Sequence, residues 1–596
     1  MSKKKKIVLI FFLLLIVLLG VILFQKFHVK SKIIGQVTGK IDDWEYHGQA
    51  STYDGISSSW LGSGTSTKSS GSVSIDSMKA GISTMADSAA TSINSEATIG
   101  FSVGGAKDVN NFRENIKKGY FPISTDITYN GLFYDYSFDT GRNEPSQYLF
   151  SPSYSTAISK DPISNNNEYY MTVGLNSNIK ESDFQRKKLN LVVVLDISGS
   201  MESSIDSYYY DSKEKDNKED SKSKMKLANE SVNILLDQLR DDDRFGMVLF
   251  DNSAYLGKPI SVVGETNIPA IKDHILEIEA AGGTNFEAGY TKATELFTKY
   301  KNINSNEYEN RIIVITDAMP NTGTTSKEGL LNYVEENASS GIYTSFIGVG
   351  VDFNTEVIEK ISNVKGANYY SVHSASDFKK RMGEEFEYMV TPLVFDLNLN
   401  LQSDSFEIAS IYGSDTVNKD KGNIMNVNTL FPSKTESTGE VKGGVILLKL
   451  NKKQGQNSNT LNLKVSYKDR NGKQYNNSQT VTLNKNVEYY DNTGIRKAIL
   501  LERYVNVLKN WIMYERTEDA NYIIKPVYGI VDCNLTKDEV FRILGENERT
   551  SVGLKVSDKY KEIFTNLRKY IAEENKTMQD KTLEQELEIL NILINK

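Results

Sequence analysis

Residues 191–201 read Leu191-Val192-Val193-Val194-Leu195-Asp196-Ile197-Ser198-Gly199-Ser200-Met201. An unbroken apolar, β-branched run reads as a strand covered on both faces. It stops at Asp196, and the loop behind it carries Ser198 and Ser200. One strand end thus delivers a carboxylate and two hydroxyls, with no sulfur or imidazole among them. Oxygen-only donors suit a hard divalent cation such as Mg²⁺, Ca²⁺ or Mn²⁺.

Working outward, two later stretches supply matching oxygens. Gly282-Gly283-Thr284-Asn285 opens a predicted helix over 286–300, and Ile313-Val314-Ile315-Thr316-Asp317 closes another predicted strand. From about 187 to 391 such elements alternate. Strands are expected at 191–195, 244–250, 311–316 and 343–349, with a short one at 369–372. Helices are expected at 225–239 and 327–338, with further helical turns at 357–361 and 378–389. This alternation predicts an α/β unit, a doubly wound and mainly parallel sheet. Ligands of such sheets bind outside the carboxyl ends of the strands. Asp196, Ser198, Ser200, Thr284 and Asp317 would meet at that edge. Only two of the five carry full negative charge, so a divalent cation there stays underneutralised. An acidic group from a partner is the natural completion. Mg²⁺ is the first expectation, because it favours six oxygens and keeps open or watered positions; Mn²⁺ and Ca²⁺ are alternatives.

The pattern Asp-x-Ser-x-Ser, then Thr after Gly-Gly, then Asp after an apolar strand, resembles the metal-ion-dependent adhesion site of the von Willebrand factor type A (VWA) domain. The resemblance covers roughly 187–391, and each motif position is filled by Asp196, Ser198, Ser200, Thr284 and Asp317. It implies a VWA fold, a divalent cation held by these residues directly or through water, and a protein partner presenting a carboxylate. One departure is the long segment 202–224, rich in Lys, Glu and Asp and containing Tyr208-Tyr209-Tyr210. It reads either as a surface insertion or as a partner-contacting loop. Upstream, Phe101-Ser102-Val103-Gly104-Gly105-Ala106-Lys107-Asp108 with Asn111-Phe112-Arg113-Glu114-Asn115 is similar to a segment of bacterial membrane-anchored VWA proteins. Some of those carry a name borrowed from calcium-activated chloride channels.

The rest of the 596-residue chain is organised around this unit. Lys3 to Lys6 form a cytoplasmic basic tail, and the apolar run 7–24 has the length of a transmembrane signal anchor. No small-residue cleavage pattern follows it. Residues 25–98 are rich in Ser, Gly and Thr and read as a stalk, with a weak helix at 74–95. Residues 99–186 read as a partly β flanking region and 392–487 as antiparallel β, with a hairpin turn at Asp469-Arg470-Asn471-Gly472-Lys473. The two β segments are candidate halves of one sandwich into which the central unit is inserted. Residues 488–596 read as helical, with amphipathic stretches at 495–514, 556–574 and 583–594.

Several chemistries find no support. A formal net charge of −8 disfavours nucleic acid. The single cysteine, Cys533, allows no intrachain disulfide and has no histidine near it in sequence. The histidines at 28, 47, 274 and 373 are scattered, with no zinc motif. Gly348-Val349-Gly350 lacks the rest of a nucleotide-binding fingerprint and reads as a strand-end turn. Ser198 lacks the glycines of a hydrolase elbow. The expectation is a non-enzymatic, surface-exposed protein anchored in the membrane, binding a protein partner through the cation. The alternative is a scaffold for an envelope complex; an enzyme or channel component has the least support.

Overall fold

The computed structural model describes residues 39–48, 98–142, 147–162, 164–208, 222–300, 307–414, 424–456, 458–518 and 552–596. The basic tail, the 7–24 span, the 74–95 helix, Tyr209, Tyr210 and Cys533 lie outside them. Among the described residues no helix is long and apolar enough to cross a membrane.

The central unit is a seven-stranded sheet. Its strands are β1 (Gly105–Ala106), β2 (Lys188–Asp196), β3 (Arg244–Phe250), β4 (Ala254–Val262), β5 (Tyr308–Thr316), β6 (Ile342–Val349) and β7 (Asn368–Val372), in the order β1-β7-β6-β5-β2-β3-β4. All neighbours run parallel except β3 and β4. The alternation of side chains along a strand explains why the apolar run of β2 is unbroken. Leu191, Val193 and Leu195 face a core shared with α1 (Lys224–Leu236) and α2 (Ile268–Leu276). Val192 and Val194 face the opposite core, with α3 (Phe286–Leu296), α4 (Lys327–Ser339) and α5 (Thr355–Ser362). Both faces are therefore covered.

Three elements of this unit are absent from the sequence reading: the short helix α2, the edge strand β4 and the strand β1. The antiparallel edge strand β4 carries Gly257 and Pro259, which break a strand signature, and its pairing with β3 shifts register there. Proline is tolerated because β4 is an edge. The strand β1 comes from the upstream flank, and two residues carry no periodicity to read.

The flanks share one sheet. Strands Thr98–Val103, Phe150–Lys160 and Asn167–Lys180 precede the central unit. They pair with Val394–Gln402, Phe406–Tyr412, Ile424–Ser433, Val445–Lys452, Thr460–Asp469, Gln474–Thr482 and Tyr489–Tyr490, which follow it, in a ten-stranded sheet. Thr98–Val103 lies between Asn167–Lys180 and Ile424–Ser433, so segments some 330 residues apart in sequence are hydrogen-bonded neighbours. The sheet curls: Ile446 and Leu448 share a core with Leu461 and Leu463, although their strands are not neighbours. The hairpin at 469–473 forms as expected, closed by the Lys473 carbonyl accepting from the Asp469 N–H at 3.0 Å.

The C-terminal helices α6 (Thr493–Glu518), α7 (Asp558–Met578) and α8 (Glu584–Asn595) cover this assembly. They share one core with Phe112, Ile116, Phe133 and Tyr136 from the upstream flank. Within the stretch read as stalk, residues 39–48 are docked on the central unit. Ile41 bridges Thr266, the Glu45 N–H donates to the Gly257 carbonyl at 2.8 Å, and Trp44 stacks on His274. The flexible-stalk expectation does not hold for these ten residues: Trp44 and Tyr46 bring enough apolar surface to pack against the core beneath α2.

Candidate metal centre

Asp196 is the last residue of β2, opposite Phe250 of β3 and beside Ile315 of β5 through its neighbour Leu195. Its side chain is fully buried. One oxygen, Oδ1, accepts the Ser198 backbone N–H at 2.9 Å, folding the loop back over the strand end. The other, Oδ2, accepts the Thr316 hydroxyl at 2.6 Å. Ser198 Oγ and Ser200 Oγ lie 3.0 Å apart, both buried. The second loop is fastened to the first by Gly199 N–H to the Gly282 carbonyl at 2.9 Å and Ala281 N–H to the Ile197 carbonyl at 2.7 Å. Gly282 holds φ +82°, and a Cβ there would stand 3.0 Å from Asp251 Oδ2, so the turn requires glycine. The third loop closes the ring. Thr284 N–H donates to Asn321 Oδ1 at 2.8 Å, and the Asn321 N–H donates to the Thr284 carbonyl at 3.0 Å. Asp317 follows β5, fully buried, its carbonyl accepting the Asn354 N–H at 3.0 Å. Asp196, Ser198 and Ser200 are thus linked by hydrogen bonds. Thr284 and Asp317 sit on the loops tied to them.

The electrostatics leave a deficit of positive charge. Burial, and then the negative charge of Asp317, push the Asp196 carboxyl up to about 7, against the hydrogen bonds from Ser198 and Thr316. Asp317 Oδ2 accepts from Lys224 Nζ at 2.9 Å, while Asp317 Oδ1 is buried without a hydrogen-bond partner. Lys224, at the first turn of α1, also reaches Asp352 at 2.6 Å. Burial would lower the lysine, but Asp317 and Asp352 outweigh it and hold it above its usual value. Among the described residues no three His, Cys, Asp or Glu side chains form a ready metal cage, so a cation here depends on the hydroxyls. Two buried carboxylates, one with an orphan oxygen, beside paired serine hydroxyls are a donor set that fits a hard divalent cation.

Lys224, Asp352, Thr316 and Asn321 escaped the sequence reading. Asp352 had a signal, since it stands just beyond β6 as Asp317 stands just beyond β5. Lys224 had none, because the 202–224 segment separates it from Ser200. That segment leaves and returns through a closed neck. Ser204 bridges Ser223, and Lys224 N–H donates to the Ser203 carbonyl at 2.9 Å. Tyr208 does not serve as an exposed contact: it is buried, donates its hydroxyl to Asn115 Oδ1 at 2.5 Å and meets Tyr120 edge-on. The Gly348-Val349-Gly350 reading as a strand-end turn agrees with Gly350 at φ +87°, just past β6.

Residues 191–319 match the family model of the von Willebrand factor type A domain, and the central unit is a domain of that class. Inter-alpha-trypsin inhibitor heavy chain H4 of Homo sapiens is 26% identical over 228 residues, 37% of this chain and 22% of that one. The uncharacterized protein YfbK of Escherichia coli (strain K12) is 26% identical over 216 residues, 36% of this chain and 33% of that one. The chain spans about a fifth to a third of the length of the curated relatives it matches. Among solved structures, von Willebrand factor type A from Catenulispora acidiphila aligns with a TM-score of 0.38 at 13% identity, over 61% of this chain and 81% of that one. The conserved hypothetical protein BatB from Bacteroides thetaiotaomicron aligns with a TM-score of 0.26 at 22% identity, over 34% of this chain and 98% of that one.

Proposed function

We propose that this protein is a metal-assisted binding protein of the cell surface. Asp196, Ser198, Ser200, Thr284 and Asp317 hold a divalent cation, Mg²⁺ first, and the cation accepts a carboxylate from a protein partner. The observation that carries this reading is the buried Asp196–Ser198–Ser200 cluster beside Asp317, whose Oδ1 has no hydrogen-bond partner. A cation would supply the missing charge at the sheet edge where this architecture binds ligands. The serine hydroxyls are neutral, so the loaded site keeps its attraction for an acidic group, and the surrounding loops select among partners. The chemistry proposed is binding.

The apolar span at 7–24 behind the lysine cluster supports membrane anchoring with the bulk of the chain outside. With residues 39–48 docked on the central domain, only residues 25–38 would separate that domain from the bilayer, a reach of at most about 50 Å. The cation centre would therefore work close to the membrane, suited to partners in the same envelope as well as beyond it.

Titration calorimetry on the full-length chain tests the site. Saturable Mg²⁺ or Mn²⁺ binding at one site, lost in Asp196→Ala and in Ser198→Ala, is the expected result. Equal binding by wild type and both variants contradicts it. Binding to the folded state alone should also raise stability by about 2.7 kcal/mol at a hundredfold excess over Kd.

A further inference from the structure

Lys224 is an unusual neighbour for a cation centre. It is completely buried, its ammonium lies 2.9 Å from Asp317 Oδ2 and 2.6 Å from Asp352 Oδ1, and both carboxylates are buried with it. It stands at the first turn of α1, where the positive end of the helix dipole disfavours a cation. Desolvation disfavours it as well. The surroundings are nevertheless shaped to admit it. Gly350 turns with φ +87°, and a Cβ there would stand 3.1 Å from Lys224 Cδ and Cε. Two unfavourable placements and a glycine that clears the stem place a permanent positive charge next to a metal-site carboxylate.

Resting on the proposed cation centre, we infer that Lys224 and Asp352 are positioning residues that set its charge. With Asp196 ionised, as it must be to hold a cation, three carboxylates (Asp196, Asp317 and Asp352) stand against one ammonium, leaving two net negative charges. One divalent cation balances them. Lys224 also occupies Asp317 Oδ2, leaving Oδ1 as the oxygen without a hydrogen-bond partner. With Lys224 in place the loaded centre is neutral and remains open to an acidic ligand. Without it the loaded centre is anionic and repels one. Asp251, the other buried carboxylate nearby, is engaged separately by the Ser253 N–H and the Tyr255 hydroxyl.

A charge role and a merely structural role separate in the direction of the effect. Removing either partner of a buried pair destabilises the fold in the same sense. Cation affinity should move in opposite senses. Lys224→Met should bind Mn²⁺ about tenfold more tightly than wild type, and Asp352→Asn about tenfold more weakly, since a unit charge a few ångströms away acts strongly on a divalent ion. The double variant should return to within about twofold of wild type. Calorimetry with Mn²⁺ alone reads all four proteins, after circular dichroism establishes folding. Unchanged affinities, or shifts of the same sign in both single variants, overturn the role of Lys224. If Lys224→Met does not fold, Asp352→Asn decides: weaker Mn²⁺ binding supports the inference, and equal or tighter binding overturns it. Failure of wild type itself to bind Mn²⁺ instead removes the cation centre.

Discussion

Asp196 shows how much a single position carries. Its carboxyl closes the loop through Ser198, takes the Thr316 hydroxyl, and is pushed up to about 7 by burial and by Asp317. A carboxyl raised in the folded state binds a proton that the unfolded chain has already released. Its contribution to stability is full below the ordinary carboxylate value near 4 and is lost as pH rises through about 7. Metal-free protein should therefore melt at a lower temperature at pH 7.5 than at pH 5, by this group's contribution. Saturating Mg²⁺ should recover the loss at pH 7.5 and do little at pH 5, where the proton competes with the cation. Melting curves at both pH values, with and without Mg²⁺, check the sign; a Mg²⁺ effect larger at pH 5 contradicts it. At this scale the sequence was informative where a residue type ends a strand. Asp196 and Asp317 could be read directly. Asp352, two residues further from its strand, carries a weaker signal of the same kind, and Lys224, at the far end of the 202–224 segment, becomes visible only when the chain is folded.

The 202–224 segment separates Ser200 from α1, and its neck explains why that separation is tolerated. Ser204 pairs with Ser223, Ile205 N–H reaches the Lys222 carbonyl at 3.4 Å, and Lys224 N–H reaches the Ser203 carbonyl. The start of α1 is thereby fixed beside the Ser200 loop whatever lies between. Ser223 also caps α1 by accepting the Lys226 N–H. Replacing residues 209–221 by a short Gly/Ser turn should leave Mn²⁺ affinity within about twofold, because loop length costs little entropy. Ser223→Ala should lower stability by about 1 kcal/mol, and urea denaturation measures it. Helices and strands with clear periodicity were legible within a few residues. For the 202–224 segment, open between a surface insertion and a partner-contacting loop, Tyr208 fits neither reading, because aromaticity in a charged stretch does not reveal that the ring turns inward against Tyr120.

Across the whole molecule the central domain is bolted into its flanks by buried charge. Asp108 accepts the Ser371 hydroxyl at 2.6 Å, and Arg381 faces Asp108, Asp135 and Glu385. Arg113 pairs with Asp135 and with Glu586 of α8, which also accepts the Tyr136 hydroxyl at 2.9 Å. One network thus joins the upstream flank, the central domain and the last helix. Arg113→Met strands Glu586 in a dry interior and should cost about 3–5 kcal/mol. A urea midpoint unchanged by Arg113→Met would place the network outside the cooperative unit. The single curled sheet made from both flanks was visible in sequence only as a possibility. Alternating strands on either side of an insertion predict β structure, while their pairing partners depend on register and length across several hundred residues. Docking of 39–48 was hidden because a few packed aromatics cannot be told from linker composition.

On the proposed function, a cation occupies the ring of loops at the end of β2. Anomalous diffraction from crystals of the full-length chain grown with Mn²⁺ tests it most directly. A single strong Mn peak is expected in contact with the Ser198 and Ser200 hydroxyls, beside Asp317 Oδ1 and away from Lys224. Well-ordered loops with no peak there, in crystals that bind Mn²⁺ elsewhere, would contradict it.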